Sequence, residues 1–174
     1  MKAILKRTLT VLAGLGVIVS VAGSVGAQQQ TLAQQIIASY TLVSITFDYE
    51  NGTKADLFGA NVMGSLMLNP NGRFALQIIG ANRPKFAATN RREGTAQENA
   101  AAIYMTESYF GTFSIDAADH SVTYHIERAI FPNWDGTDRK FSIVVNGDIL
   151  QLSGPPTPSA KGSYIPRQVW KRAG

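Results

Sequence analysis

The stretch "MGSLMLNPNGRFALQII", residues 63–79, sets the reading of this chain. Two runs of strand character, Met63 to Leu68 and Arg73 to Ile79, flank Asn69-Pro70-Asn71-Gly72. Proline and glycine stand where a tight turn requires them, so the segment reads as a β-hairpin. The same grammar recurs on both sides. Upstream, Tyr40 to Glu50 is rich in β-branched and aromatic residues, and Asn51-Gly52 follows as a turn. Val43, Ile45, Phe47 and Tyr49 fall on one face of that strand, with Thr46 and Asp48 on the other. Asn51-Gly52-Thr53 also spells a glycosylation sequon, but the turn accounts for it. Downstream come strands at Tyr109 to Asp116, His120 to Ile130, Arg139 to Val145 and Ile149 to Ser153, with a last one opening at Pro166 and running through Lys171. Ala117-Ala118-Asp119 and Asn146-Gly147-Asp148 supply further short turns.

One segment departs from this pattern. Gly80 to Gly94 is a loop containing Arg83-Pro84-Lys85-Phe86, and Thr95-Ala-Gln-Glu98 then fits a capping box. The alanine-rich run that follows predicts a helix over residues 96–108, with Ala100, Ile103, Tyr104 and Glu107 on one side. About eight strands joined mostly by hairpins, with one helical insertion, predict an all-β, up-and-down antiparallel sheet. Closure into a barrel removes the exposed edges, and a two-sheet sandwich is the alternative. The helix either covers a barrel mouth or lies on the wall.

The chain has 174 residues, and the first of them read as an address. Lys2, Lys6 and Arg7 precede an apolar run from Leu9 to Val21, and Val25-Gly26-Ala27 offers small residues before Gln28. That is the layout of a cleavable secretory signal over residues 1–27, with a retained N-terminal anchor as the alternative. A polar tail over 28–35, expected to be frayed and disordered apart from a helical turn near Leu32 to Ile37, leads into a domain at 36–174. Removing the signal takes away three basic residues and no acidic one, leaving 13 against 12 and a net charge of +1. No basic patch with interleaved aromatics is visible, so nucleic acid is not an expected partner. The chain has no cysteine, which excludes disulfides, thiolate catalysis and thiolate metal sites. No stable membrane insertion is expected after cleavage, and the protein is expected to be exported, either periplasmic or secreted.

Several of these segments together resemble the lipocalin-like domain family of small bacterial and fungal proteins. Tyr40-Thr-Leu-Val-Ser resembles its opening strand, where a tryptophan usually stands at the place of Tyr40. Asn69-Pro-Asn-Gly-Arg73 resembles its first hairpin, Arg83-Pro-Lys-Phe86 its Arg-Pro loop, and Gly94 to Glu98 the start of its helix. Tyr109-Phe-Gly-Thr112 and His125 to Trp134 resemble its two most distinctive blocks, and Val169-Trp170 its closing strand. The resemblance spans about Ile36 to Arg172. It implies a closed lipocalin-like barrel able to enclose a small, mostly apolar ligand, and it implies no particular reaction.

The candidate site residues cluster around "HIERAIFPNWDG", residues 125–136. His125 and Glu127 share one strand face, and Val122, Tyr124, Ile126 and Arg128 share the other. Periodicity alone puts the apolar face in the core. The family block, which carries both polar residues, favours His125 and Glu127 pointing into the cavity as a polar anchor. Arg83 and Arg139 could hold a carboxylate, while Asn133, Trp134 and Tyr109 could line the mouth. Tyr104 could face the pocket or pack on the sheet. His120 and His125 are an odd number apart on one strand, so no metal is expected, and no cofactor motif appears.

Three functions stay open: a binder of a small hydrophobic or amphipathic molecule, which leads; a cofactor-independent isomerase or cyclase using His125 and Glu127; and a filled, structural barrel. The address is testable directly. Mass spectrometry of the exported protein should give an N-terminus at Gln28, whereas intact protein held in a membrane fraction would contradict the signal reading.

Overall fold

The computed structural model describes residues 30–174; the expected signal over 1–27 lies outside the described residues. The chain forms a short helix α1 (Leu32–Ile36) and strands β1 (Ser39–Tyr49), β2 (Lys54–Ala55), β3 (Met63–Leu68) and β4 (Arg73–Ile79). Helix α2 (Ala96–Tyr104) follows, then β5 (Thr106–Asp116), β6 (Ser121–Ala129), β7 (Asp138–Asn146), β8 (Ile149–Ser153) and β9 (Tyr164–Arg172). Short 3-10 turns sit at Arg91–Glu93 and Pro132–Trp134.

All neighbouring strands pair antiparallel, from β1 through β3 to β9. β9 then pairs back onto β1, from Tyr40↔Arg172 to Tyr49↔Tyr164. That contact closes an eight-stranded barrel and rules out the sandwich. β2 is a two-residue addition outside the barrel, paired with Phe47 and Asp48.

The two ends of the barrel differ. At one end the strands are joined by tight turns between β3 and β4, β5 and β6, and β7 and β8. Gly72, at φ 79°, occupies the left-handed region that the first of these turns needs. This end is the floor. α1 sits here, with Thr31 and Gln34 forming a capping box, so the expected frayed tail becomes ordered from its helical turn onward. Ile36 is fully buried, and the Tyr40 hydroxyl donates to the Ile36 carbonyl at 2.8 Å. Arg172 donates to the Gln35 carbonyl and lies 5.5 Å from the Tyr40 ring. Tyr40, at the place where the resemblance leads one to expect tryptophan, therefore plugs the floor and ties α1 to it. All the long connections lie at the opposite end, which is the mouth: residues 50–62, 80–105, 130–137 and 154–163.

Inward side chains follow the strand alternation. Leu66 and Leu68 come from β3, Phe74, Leu76 and Ile78 from β4, Leu150 and Leu152 from β8, and Gln168 and Trp170 from β9. Two bulges interrupt that alternation and correct the sequence reading. At Val43 the β1–β9 register shifts, so Val43 is pushed out to solvent and Tyr40 and Leu42 join Ile45 and Phe47 inside. Between β5 and β6, Phe110 pairs with Arg128 and Gly111 with Ile126, which leaves Glu127 as the extra residue. Glu127 and Arg128 consequently both face outward, although strict alternation puts them on opposite sides.

The helix is also shorter than expected. It ends at Tyr104, and β5 begins at Thr106, so Glu107 belongs to a strand. No residue of α2 is buried, and its contacts are with the start of β5, the strand that follows it.

Two substitutions test this packing. A Cβ at Gly111 would sit 2.0 Å from the His125 carbonyl oxygen, so Gly111→Ala should cost about 3 kcal/mol. Tyr40→Phe removes one buried hydrogen bond and should cost about 1 kcal/mol. Urea unfolding measures both.

Candidate functional site

The inward positions of β5, β6, β7 and β9 near the mouth are not all apolar. Glu107 and Tyr109 point in from β5, Tyr124 from β6, Arg139 from β7 and Tyr164 from β9. Arg139 stands opposite Tyr124 in the ladder. Its guanidinium lies 4.0 Å from the Glu107 carboxylate and 4.0 Å from the centroid of the Trp134 ring. Tyr109 meets Trp134 edge-on at 5.7 Å and Tyr124 at 6.2 Å. Phe74 and Phe141 pack against Tyr124 and complete an aromatic wall.

The connection between β6 and β7 is what delivers Trp134. Proline opens a 3-10 turn at Pro132–Trp134. Asp135 accepts the Ala129 amide at 2.8 Å, while Gly136 and Thr137 pair with the two sides of Ile126. The corner is thus stapled to the end of β6, and the indole is turned inward over Arg139. An arginine on an indole face, partly desolvated, contributes about 1–2 kcal/mol.

Three buried polar atoms in this cluster make no close hydrogen bond among the described residues: the Tyr109 hydroxyl and Arg139 Nη1, which both face the Glu107 carboxyl at longer range, and the Tyr124 hydroxyl. Leaving such groups unpaired costs on the order of 1–3 kcal/mol each. Burial pushes the Glu107 carboxyl above its ordinary range, and Arg139 and Tyr109 only partly offset this. Burial also raises the Tyr109 hydroxyl well above the tyrosine range, with Glu107 adding to the rise. Tyr124 and Tyr164 are raised by burial too. The tyrosines are therefore neutral hydroxyl donors, and Glu107 and Arg139 are the cluster's two groups able to carry charge.

The profile of the lipocalin-like domain family matches residues 37–173. The chain belongs to the lipocalin-like domain family. A curated relative, the 4'-hydroxy-3'-methoxypropiophenone carrier protein ppsC of Aspergillus oryzae, is 28% identical over 83 residues. That alignment covers 44% of this chain and 75% of the relative.

In this lipocalin-like barrel the expected site residues separate. Tyr109, Trp134 and Arg139 come together inside, at the mouth. His125 and Glu127 do not join them. The apolar face of β6 takes the interior, with Val122, Tyr124 and Ile126 buried, so both polar residues lie on the outer wall. There Glu127 forms a bidentate pair with Arg73, and His125 contacts Asp138 at 2.8 Å and Ser114 at 3.0 Å. They are not paired with each other, and the acid–base pair imagined for an isomerase is not assembled in a cavity.

The Ser114–His125–Asp138 row has the connectivity of a nucleophile, a base and an orienting acid. It lies on a sheet whose strands are paired on both sides, so among the described residues the ladder engages the backbone amides that an oxyanion would need. Asn133 is exposed at the corner, Arg83 is exposed on its loop, and Tyr104 is 83% exposed on α2. Neither Arg83 nor Tyr104 joins the interior cluster: both side chains are open to solvent.

Sequence reasoning did not single out Tyr124, Tyr164 or Glu107 as site residues. Tyr124 was readable as the inward member of an apolar face. Glu107 was hidden by the helix propensity of the residues before it.

The charge pair predicts a coupled stability effect. Glu107→Leu and Arg139→Leu each leave the other charge unpaired in the barrel and should each cost about 2–4 kcal/mol. The double variant should lose less than their sum, by about 1 kcal/mol or more. His125→Ala, on the wetted outer wall, should stay within about 1 kcal/mol of the parent. Denaturant titrations of the four variants check this set.

Proposed function

We propose that this protein is an exported carrier that binds a small, mostly apolar molecule in the mouth half of its barrel. The observation that carries the reading is the set of three unpartnered, buried polar atoms on Tyr109, Tyr124 and Arg139, set in an aromatic wall. An apolar pocket with a few convergent polar groups is the usual design of a small-molecule site. A ligand oxygen would satisfy donors that the fold leaves unsatisfied, and its ring or chain would lie on Phe74, Phe141 and Trp134. The carrier name of the Aspergillus relative supports the same class of role, and the aromatic ketone in that name is a suitable first probe.

A filled barrel without a ligand is the competing reading, and one observation favours it. The four described concavities all open on the outside or the rim. The largest, about 710 Å³, lies at the floor between α1 and the β5–β6 turn and brings no unpartnered buried polar group with it. One of about 240 Å³ lies at the mouth rim beside Tyr49 and Tyr164. Entry of a ligand therefore requires side chains at the mouth to move, and Trp134, on a short exposed corner and only half-buried, is the one placed to do so.

Tryptophan fluorescence separates the two readings. Trp134 is at the mouth, and Trp170, the other tryptophan, is fully buried with its indole N–H on Gln168. Titration with the relative's methoxypropiophenone should quench the protein saturably, and Trp134→Phe should remove most of that quench. No saturable change, together with no co-purified small molecule in native mass spectra, would favour the filled barrel.

A further inference from the structure

The interior cluster carries one cation and one carboxyl group 4.0 Å apart, and its other described members are aromatic side chains. We infer that Glu107 is a specificity-determining residue that restricts the ligand to a neutral head group with an acceptor oxygen, such as a ketone, and excludes the matching carboxylate. This rests on the carrier reading above and goes further by fixing the charge of the ligand.

The argument is one of charge balance in a desolvated place. Arg139 alone would welcome a carboxylate, because its Nη1, which faces Glu107 at 4.0 Å, is buried and makes no hydrogen bond. Glu107 stands beside that guanidinium, with only 13% of its side chain exposed, and its carboxyl is the group placed to neutralise it. A second carboxylate would bury a net negative charge next to Glu107, which is costly in a medium with little water. The tyrosines do not compensate, since Tyr109, Tyr124 and Tyr164 are neutral donors. A carbonyl or ether oxygen accepts from Arg139 Nη1 or from the Tyr109 and Tyr124 hydroxyls and leaves the ion pair intact. The pattern of vacancies therefore asks for an acceptor without asking for a charge.

The test compares two probes that share a ring: the methoxypropiophenone and its matched benzoate, in which a carboxylate replaces the propionyl group. Binding of each is measured by calorimetry at neutral pH, where the benzoate is a carboxylate and the ketone's phenol is largely protonated. The unaltered full-length mature protein should bind the ketone at least about tenfold tighter than the benzoate. Glu107→Gln should move the ratio of affinities toward the benzoate by about tenfold or more. Glu127→Gln, the same chemical change on the outer wall, should leave the ratio where it was. Equal or tighter binding of the benzoate by the unaltered protein, a measurement that needs no variant, would overturn the inference while leaving the carrier reading standing. A ratio unmoved by Glu107→Gln in a protein whose circular dichroism and melting are normal would also overturn it. Failure of both probes to bind both the parent and Glu107→Gln would remove the carrier reading and this inference with it.

Discussion

The pairing of β9 with β1 is the contact on which the rest depends. It runs the length of both strands and turns an open meander into a tube, so every barrel strand acquires an inside and an outside. Once that division exists, a polar side chain on an inward position is either satisfied within the barrel or left as a cost. Most inward positions avoid the problem by being apolar. Gln168 resolves it by accepting from Trp170, and Tyr40 by donating to Ile36. Tyr109, Tyr124 and Arg139 do not resolve it, and all three lie toward the mouth, away from the plugged floor.

The two ends of the barrel divide the labour. The floor is built from tight turns, a capped helical turn and hydrogen bonds that lock α1 under Tyr40. The mouth is built from long connections, of which the corner around Trp134 is the best anchored. That anchoring fixes the backbone while leaving the indole only half-buried. A side chain in that position can move without unfolding any strand. The energy that holds it is a cation–π contact and two aromatic edges, a few kcal/mol at most, and a ligand ring can replace much of it.

The strands and hairpins were legible in the sequence because turn chemistry is local. Asn69-Pro-Asn-Gly72 and Asn146-Gly147 specify their turns by residue type alone, and both hairpins form where the pattern puts them. The site was only partly legible, for two physical reasons. Period-two reading assumes an unbroken pleat, and the bulges at Val43 and Glu127 break it. The boundary between α2 and β5 was masked by helix-forming residues that the barrel overrides, which kept Glu107 out of view. His125 and Glu127 illustrate the opposite error. Their chemistry suggested a site, yet the plain alternation of Val122, Tyr124 and Ile126 had already assigned them to the outer wall. Tyr109, Trp134 and Arg139 were identified one by one from residue type, and only the closed fold brings them into contact.

The central claim is that the mouth-side interior, rather than the outer wall, receives the ligand. A crystal structure of the mature protein soaked with the methoxypropiophenone tests it most directly. The account predicts the aromatic ring against Phe141 and a displaced Trp134, with a ligand oxygen in hydrogen-bond distance of Arg139 Nη1 or of the Tyr109 or Tyr124 hydroxyl. A ligand resting on the outer wall beside His125 and Asp138, or in the concavity at the floor, with the interior side chains unmoved, would contradict it.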